Sequence, residues 1–253
     1  MADSPAVRAP HRPEDLTGRT VVVIGGSAGI GLETARRVRA DGGQVILVGR
    51  DPERLRQAAR AVEPLDTAAF DAGDPEQLKR FFEDLPAPVD HVMVTAGGPF
   101  YMPLADMDPA VAGAYMSERL AMTLAVGLHS RGKVRAGGTL IFVGGTGGRR
   151  PGPGMSVASA LTAALPALVA NLALELAPVR VNLIAAGFVD TPLSARLLDD
   201  QLEVRREELR ATLPIRRVVG PADVAALAVH IMGNDALTGG TYDIDGGQQL
   251  VAR

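Results

Sequence analysis

The sequence contains no cysteine. This absence excludes disulfide bonds, thiolate nucleophiles and cysteine-ligated metal sites. The charges are also nearly balanced: the formal net charge is −3 at pH 7, which gives no general attraction to nucleic acid or to an anionic membrane surface. The four histidines (His11, His91, His129 and His230) are scattered without the spacing of metal ligands, so no metal site is predicted.

Length and composition favour a single globular domain. The chain has 253 residues, of which 47% are hydrophobic and 22% charged, as is usual for one soluble α/β domain. Residues 1–17 hold several prolines and no apolar core of signal-peptide length, which predicts a flexible leader before a domain over residues 18–253. The most apolar stretch, Leu161–Pro178, is interrupted by proline, asparagine and glutamate, so we expect no membrane span and a cytoplasmic location.

Short β-branched runs alternate with helix-like stretches along the whole domain. The predicted strands are Thr20–Ile24, Gln44–Val48, Thr67–Phe70, His91–Val94, Thr139–Val143, Arg180–Ile184 and Thr241–Ile244. The predicted helices are Ile30–Ala40, Pro52–Ala61, Pro75–Phe82, Pro109–Ser130, Ser159–Ala177 and Pro221–Met232. Because the strands are almost continuously Val, Ile and Leu, they predict an α/β, three-layer doubly wound Rossmann fold with a seven-stranded parallel sheet.

A glycine-rich turn follows the first strand and opens the first helix. Gly25 permits the tight turn, Gly29 permits close approach of a pyrophosphate, and Gly31 permits close packing of helix on sheet. The free N–H groups and positive dipole end of the helix favour phosphate. The motif therefore predicts a dinucleotide site, with Ser27, Ala28 and Ile30 as the other residues of the turn.

The second strand ends at Gly49 and Arg50. In this kind of fold that position faces the adenosine ribose, where an acidic residue binds a 2′-hydroxyl and an arginine accommodates a 2′-phosphate. Arg50 therefore favours NADP(H) over NAD(H). The alternative is that Arg50 pairs with a nearby carboxylate such as Asp51 or Glu53.

The spacing Gly25-x-x-x-Gly29-x-Gly31 resembles the glycine signature of the short-chain dehydrogenase/reductase family, and the resemblance continues through nearly the whole chain after the leader. Four further segments match family motifs: Phe70-Asp71, Val94-Thr95-Ala96-Gly97, Asn182–Pro192 (with Gly187 and Thr191), and Thr238–Gly247. The resemblance implies that Asp71, Ala96, Gly97, Gly187 and Thr191 contact the cofactor. It also implies a homodimer or homotetramer, which the apolar helices Ala112–His129 and Ser159–Ala177 would suit, although the same pattern suits helices buried in a monomer.

The family resemblance implies a proton relay of Tyr, Lys, Ser and Asn, and this sequence departs from it. A gapless alignment of the active-site helix puts Ala158 at the Tyr position and Thr162 at the Lys position. Counting back puts Gly145 at the Ser position and the Asn position near Glu118. Composition agrees without any alignment, because the only lysines are Lys79 and Lys133 and neither lies four residues after a tyrosine.

A glycine-rich loop, Gly144–Gly154, takes the place of the usual serine segment. Its exposed N–H groups could cradle an oxyanion, or the missing side chains could simply let another backbone come close. Arg149 and Arg150 could hold an acidic substrate, although two arginines in a turn are more often solvated. The charged stretch Ala195–Leu213 has the position of a helical cover over the substrate cleft, or else presents a solvated helix face.

Three functions remain open at this point. The first is an NADP(H)-dependent oxidoreductase acting on a small carbonyl or alcohol with a substituted relay. The second is a non-catalytic nucleotide-binding protein that acts as sensor, regulator or assembly partner, and the third is a non-redox enzyme such as an isomerase or dehydratase. The candidate acids and bases are Glu118, Thr146, Tyr101, Ser159, Tyr115 and Ser156. Each also has a structural interpretation: the serines as helix caps, Tyr115 as helix packing and Thr146 as a turn residue.

Overall fold

The structure is a computed structural model that describes residues 16–86 and 88–251. The predicted leader, residues 1–17, lies almost entirely outside the described residues. Seven parallel strands form one sheet in the order β3-β2-β1-β4-β5-β6-β7. The strands are β1 Thr20–Ile24, β2 Gln44–Gly49, β3 Asp66–Ala69, β4 Val89–Val94, β5 Val134–Gly145, β6 Arg180–Ala186 and β7 Thr241–Ile244.

Helices cover both faces of the sheet. They are α1 Gly29–Ala40, α2 Pro52–Val62, α3 Pro75–Asp84, α4 Pro109–Ser130, α5 Ser156–Glu175, α6 Pro192–Leu198, α7 Leu202–Thr212 and α8 Pro221–Gly233. One apolar core joins the sheet to α1, α2 and α8, and a second core joins the opposite face to α3, α4 and α5. The predicted three-layer Rossmann architecture with a seven-stranded parallel sheet is therefore confirmed.

Residue chemistry explains why these elements form where they do. β4 and β6 are buried at every position, as expected for central strands covered by helices on both faces. Asp51, Asp74 and Asp108 each precede a proline and accept hydrogen bonds from the first N–H groups of α2, α3 and α4. These caps fix the starting points of three helices on the outer layers.

Most predicted boundaries lie within two residues of the observed ones, and the larger differences are at β5, α5 and the charged stretch after β6. β5 begins at Val134, five residues before the predicted start, and its pairing with β4 shifts register between Val89 and His91. Helix α5 begins at Ser156, three residues before its predicted start, and ends at Glu175. The charged stretch Ala195–Leu213 is divided between α6 and α7, with a short 3₁₀ turn between them.

The length of α5 corrects the expectation that no apolar segment reaches membrane-spanning length. The helix has twenty residues and reaches a mean hydropathy of 1.9. By length and composition alone it is long and apolar enough to cross a bilayer. The interrupting Pro166 lies within the continuous helix. In this fold α5 packs against β5 and β6, and Leu165, Val169 and Leu172 enter the core, so the same composition also serves a core helix.

Candidate functional site

The cleft lies where the winding direction of the sheet reverses. β1 is flanked by β2 on one side and β4 on the other. In open parallel sheets, ligands bind beyond the carboxyl ends of the strands at this switch point. β1 and β4 both end at this point, and the segments that follow them begin at Gly25 and Thr95. Both segments therefore face the cleft.

The glycine turn after β1 is tightly packed. Gly25 has a φ of +93°, and the N–H groups of Gly25 and Gly26 both donate to the carbonyl of Val48 at 2.9 Å. A Cβ atom at Gly31 would lie 2.3 Å from the Gly25 carbonyl oxygen and 2.7 Å from Thr95 Oγ1. No larger residue fits at Gly31 without displacing the turn, as the sequence predicted for the third glycine.

The start of α1 has the features of an anion-binding helix terminus. Ala28 occupies the N-cap position and provides no side-chain hydrogen bond to the helix, so the first N–H groups remain available to a ligand. A Cβ atom at Gly29 would lie 3.5 Å from the side chain of Thr191. The structure thus brings together two of the predicted cofactor contacts, Gly29 and Thr191, although they are far apart in sequence.

The end of the cleft predicted to receive the adenosine contains Arg50 and Asp71. Their charged groups are 3.8 Å apart, between Nη1 and Oδ2, and the side chains are 75% and 53% exposed. Asp51, the pairing partner that seemed plausible from sequence, instead caps α2 through its carboxylate. A Cβ atom at Gly49 would lie 3.0 Å from the hydroxyl of Ser27, so the end of β2 lies directly against the glycine turn.

Glu118 also lies toward this end of the cleft. A Cβ atom at Gly73 would be 2.6 Å from Glu118 Oε1 and 3.4 Å from Asp71 Oδ1. The structure therefore places Glu118 beside the loop that follows β3, next to the predicted adenine contact. It is separated from the carboxyl end of β5, where the alignment puts the Tyr, Lys and Ser positions, because β2, β1 and β4 lie between β3 and β5.

The three aligned relay positions do come together. A Cβ atom at Gly145 would lie 3.2 Å from Thr162 Cγ2, and the Thr162 hydroxyl donates to the carbonyl of Ala158 at 2.8 Å. Ala158 is 5% exposed. Gly145 has no side chain, Ala158 has a methyl group, and the Thr162 hydroxyl is hydrogen-bonded within its own helix. None of the three provides a phenol or a cation.

The glycine-rich loop packs directly on α5. A Cβ atom at Gly148 would lie 2.9 Å from the backbone nitrogen of Ala163, and Ser159 Oγ donates to the carbonyl of Gly147 at 2.9 Å. Thr146, 6% exposed, begins the turn, and its N–H donates to Ala186. The close approach of the loop backbone to the α5 backbone explains why the loop has glycines there. The Ser159 hydroxyl is used in a hydrogen bond that fixes the loop to α5.

Neither arginine of this loop faces the cleft without a partner. Arg149 makes two hydrogen bonds to the carboxylate of Asp243 on β7, at 2.8 and 2.5 Å. This pairing raises the pKa of Arg149 and lowers that of Asp243. Arg150 donates to the carbonyl of Val251. The two side chains therefore tie the loop to the C-terminal segment.

The tyrosine candidates lie on the other wall of the cleft. The hydroxyl of Tyr115 donates to the carbonyl of Gly98, and its ring stacks at a tilt on Phe100 with 5.2 Å between centroids. Tyr101 is 53% exposed. Burial raises the pKa of both phenols. Tyr115 raises the pKa of Tyr101 further, whereas Arg119 lowers and Glu118 raises the pKa of Tyr115.

Arg119 was not identified from the sequence. Its Nη1 donates to the carbonyl of Ala96 at 2.6 Å, and a Cβ atom at Gly97 would overlap the guanidinium. Burial lowers the pKa of Arg119, and within residues 16–86 and 88–251 no carboxylate forms an ion pair with it. The available signal was an arginine four residues after Tyr115 on a largely apolar helix.

The far wall is formed by the segment after β6 and by α6. Gly187 lies against Asp245 and Gln248, since a Cβ atom there would come within 2.6 Å of both. Asp190 receives two hydrogen bonds from Arg206 of α7, at 2.9 and 2.7 Å. A Cβ atom at Gly98 would lie 3.7 Å from Leu193, so α6 stands across the cleft from the end of β4.

Known proteins share this architecture and have related sequences, with identities of 23% and 29% for the two described below. The family model described as "Enoyl-(Acyl carrier protein) reductase" matches residues 25–249. The human protein "Dehydrogenase/reductase SDR family member 4" is 29% identical, over 93% of this chain and 89% of its own length. The MalC reductase/Diels-Alderase of Malbranchea aurantiaca, 23% identical, shares the fold with a TM-score of 0.87 over 94% of this chain and 99% of its own.

One of the similar solved structures contains a bound nucleotide. A small-chain dehydrogenase determined with NADPH is 26% identical and superimposes with a TM-score of 0.79, over 92% of this chain and 99% of its own. The match of one family model to residues 25–249 covers both the glycine turn and the C-terminal segment. The chain belongs to the short-chain dehydrogenase/reductase family of oxidoreductases, whose members bind nicotinamide cofactors.

Proposed function

We propose that this chain is an NADP(H)-dependent oxidoreductase that interconverts a small carbonyl compound and its alcohol through a non-standard proton relay. The observation that carries the cofactor assignment is Arg50, an exposed guanidinium at the carboxyl end of β2 beside the glycine turn. Its loose contact with Asp71, at 3.8 Å and well exposed, leaves donors free for a phosphate. The NADPH complex of a relative 26% identical supports the same ligand class.

The residues present fit a dinucleotide. The uncapped start of α1 would hold the pyrophosphate, next to Gly29 and Thr191, and Asp71 would lie toward the adenosine. When bound, the nicotinamide supplies or accepts hydride, and the protein orients the substrate and manages the proton. The proposed departure from the family lies in that proton chemistry, since Ala158 and Thr162 supply neither a phenol nor a cation.

The cofactor assignment is tested by binding. Replacement of Arg50 by alanine removes the only guanidinium proposed for the 2′-phosphate, so NADPH affinity should fall by about tenfold or more while NADH affinity changes little. Titrations that follow the nucleotide's own fluorescence measure both. Arg56→Ala is the matched control, because that arginine pairs with Glu53 on the exposed side of α2. An equal loss for NADH and NADPH would contradict the assignment.

The oxidoreductase assignment is tested by turnover. A panel of aldehydes, ketones and activated carbonyl compounds should include at least one that oxidises NADPH in the presence of the enzyme. Tight NADPH binding with no turnover across the panel would instead support a non-catalytic nucleotide-binding protein. If neither nucleotide binds, the proposed function is wrong at its first step.

We further propose that the chain forms a homodimer or homotetramer through α4 and α5. These neighbouring helices leave large apolar side chains in solvent: Leu124 is 50% exposed, Leu128 58% and Leu174 80%. Apolar side chains grouped in this way are typical of a surface that a partner covers. The family resemblance makes a second copy of the same chain the expected partner.

A further inference from the structure

Two polar side chains of α4 reach the same wall of the cleft. Tyr115 and Arg119 are one helical turn apart, so they project from one face of α4. The tyrosine hydroxyl donates to the carbonyl of Gly98, and the guanidinium donates to the carbonyl of Ala96. Both groups therefore meet the short segment that leaves β4 at the switch point of the sheet.

This wall faces the part of the cleft in which the chemistry must occur. Across the opening, a Cβ atom at Gly98 would lie 3.7 Å from Leu193 of α6. On the side of α5, Tyr115 belongs to one apolar cluster with Val157 and Leu161. Ala158, the residue at the family's tyrosine position, is adjacent to Val157 in the chain. The Tyr115 ring thus packs on the first turns of α5, close to the place where the usual proton donor would stand.

Arg119 provides a positive charge beside Tyr115, and the carboxylate of Glu118 acts on it from the preceding position of α4. Arg119 is partly buried, and within the described residues it forms no ion pair. A buried cation without an ion pair is unfavourable unless an anion is formed or bound next to it during function. The phenolate of Tyr115 is such an anion, because the charge of Arg119 acts on the pKa of Tyr115 and lowers it.

We propose that Tyr115 is the proton donor of this enzyme and that Arg119 is the cation that stabilises its phenolate, so that a Tyr-x-x-x-Arg pair on α4 replaces the family's Tyr-x-x-x-Lys pair on α5. The proposal rests on the proposed carbonyl-reductase function. In the reduction, the carbonyl carbon gains a hydride from the reduced nicotinamide and the oxygen gains the Tyr115 proton as the C=O π bond breaks. The product is an alcohol, and the phenolate recovers its proton from water.

The surroundings of the phenol favour this direction of the reaction. Burial is the largest influence on Tyr115 and raises its pKa; Glu118 raises it further, and Arg119 opposes both. Tyr115 also raises the pKa of its neighbour Tyr101. The phenol therefore stays protonated at neutral pH and can donate to a developing alkoxide. Its hydrogen bond to Gly98 holds the hydroxyl in the cleft until a substrate oxygen replaces that carbonyl.

The pair can be tested without any substrate. The chain has three tyrosines and no tryptophan, so the double variant Tyr101→Phe, Tyr242→Phe leaves Tyr115 as the single phenol. Fluorotyrosine, whose phenol is more acidic than that of tyrosine, brings the titration into a range in which the protein stays folded, and fluorine NMR follows it. Arg119→Gln should raise the pKa of Tyr115 by about one pH unit or more, and Arg119→Lys should restore most of the difference. An unchanged titration in Arg119→Gln overturns the pair.

The proton-donor role is tested by kinetics on a carbonyl compound that the enzyme reduces. Tyr115→Phe should lower kcat by at least about 100-fold, the contribution of a positioned general acid, with NADPH affinity unchanged. Tyr242→Phe, on edge strand β7, is the matched control and should keep its turnover. A purely structural role of the Gly98 hydrogen bond would instead raise KM and weaken NADPH binding with little change in kcat.

The outcomes separate the two proposals. Turnover of Tyr115→Phe within a small factor of the parent enzyme overturns the proton donor while leaving the reductase assignment intact. Loss of NADPH binding in the parent enzyme overturns the proposed function, and the fluorine titration then still decides whether Arg119 acts on Tyr115. Arg119→Gln should lower kcat with Arg119→Lys partly active, and full activity of Arg119→Gln would remove the cation from the proposal.

Discussion

His91 makes the folded state sensitive to acid. The side chain lies on β4 at 4% exposure, between Val21 of β1 and Thr139 of β5 in the sheet register. Its Nδ1 atom is buried and has no hydrogen-bond partner among the described residues. The pKa of His91 is lowered from 6.5 to about 3: burial is the largest cause, the charge of Asp90 opposes it, and the charges of Arg180 and Arg19 act in the same direction as burial.

The sign and size of the effect follow from proton linkage. The unfolded chain takes up a proton at this residue below about pH 6.5, whereas the folded chain takes it up only near pH 3. The stabilisation is therefore fully present above pH 6.5 and is lost as the pH falls toward 3. At about 1.4 kcal/mol for each pH unit, His91 should cost about 2 kcal/mol of unfolding free energy between pH 7 and pH 5.

The measurement is urea unfolding at pH 7 and pH 5 on the parent chain and on His91→Leu. The difference between the two pH values should be smaller by about 2 kcal/mol in the variant, because leucine cannot take up a proton in the unfolded state. Carboxylates contribute equally to both proteins and cancel in the comparison. His230→Gln, on the exposed side of α8, is the control. Equal pH dependence in His91→Leu and the parent would refute the assignment of the acid sensitivity to this residue.

Three further changes test the glycine turn, the proposed interface and the predicted cover of the cleft. Gly31→Ala should lower the free energy of unfolding by about 1–3 kcal/mol in urea and weaken NADPH binding, because the alanine methyl group would press on the glycine turn. The control is Gly113→Ala, in open space on α4, which should change neither quantity. Leu174→Glu, alone or with Leu124→Glu, should shift the protein to monomer in light scattering if α4 and α5 form the interface, and an unchanged mass would exclude that surface. Arg206→Ala removes both hydrogen bonds that join α7 to the loop before α6 and should raise KM several-fold with kcat and the thermal midpoint little changed.

The parts of the fold that depend on local chemistry were predictable from the sequence. The glycine turn needs Gly25 and Gly31 in any protein with this geometry, because a Cβ atom at either position would come closer than 3 Å to its neighbours. The aspartate–proline pairs mark three helix starts, and the buried strands have an apolar composition throughout. Each of these signals lies within a few residues of the element that it defines.

The proposed proton-transfer wall, Tyr115 and Arg119 of α4, could not be predicted in the same way, because it depends on which residues of a long helix face the cleft. Successive residues of α4 differ by about 100° in direction, so an alignment uncertain by one position exchanges Glu118 for Arg119. The structure shows that Glu118 lies beside Gly73 and Arg119 beside Gly97, on different parts of the cleft. Likewise the sequence alone gave no way to tell that Arg149 pairs with Asp243, ninety-four residues away.

The cofactor half and the proton-transfer half of the proposed site differ in how strictly their chemistry fixes the positions of the residues. The predicted cofactor half depends on a turn packed so closely that a Cβ atom at Gly25 or Gly31 would come within 3 Å of its neighbours, and such geometry can be supplied from one place only. A proton donor needs only a hydroxyl near the reacting oxygen and a cation near the hydroxyl. Helices α4 and α5 pack side by side against this cleft, so either can present both groups at a spacing of four residues. The alignment puts Ala158 at the family's tyrosine position, and the proposed relay moves the phenol and its cation to the neighbouring helix as Tyr115 and Arg119.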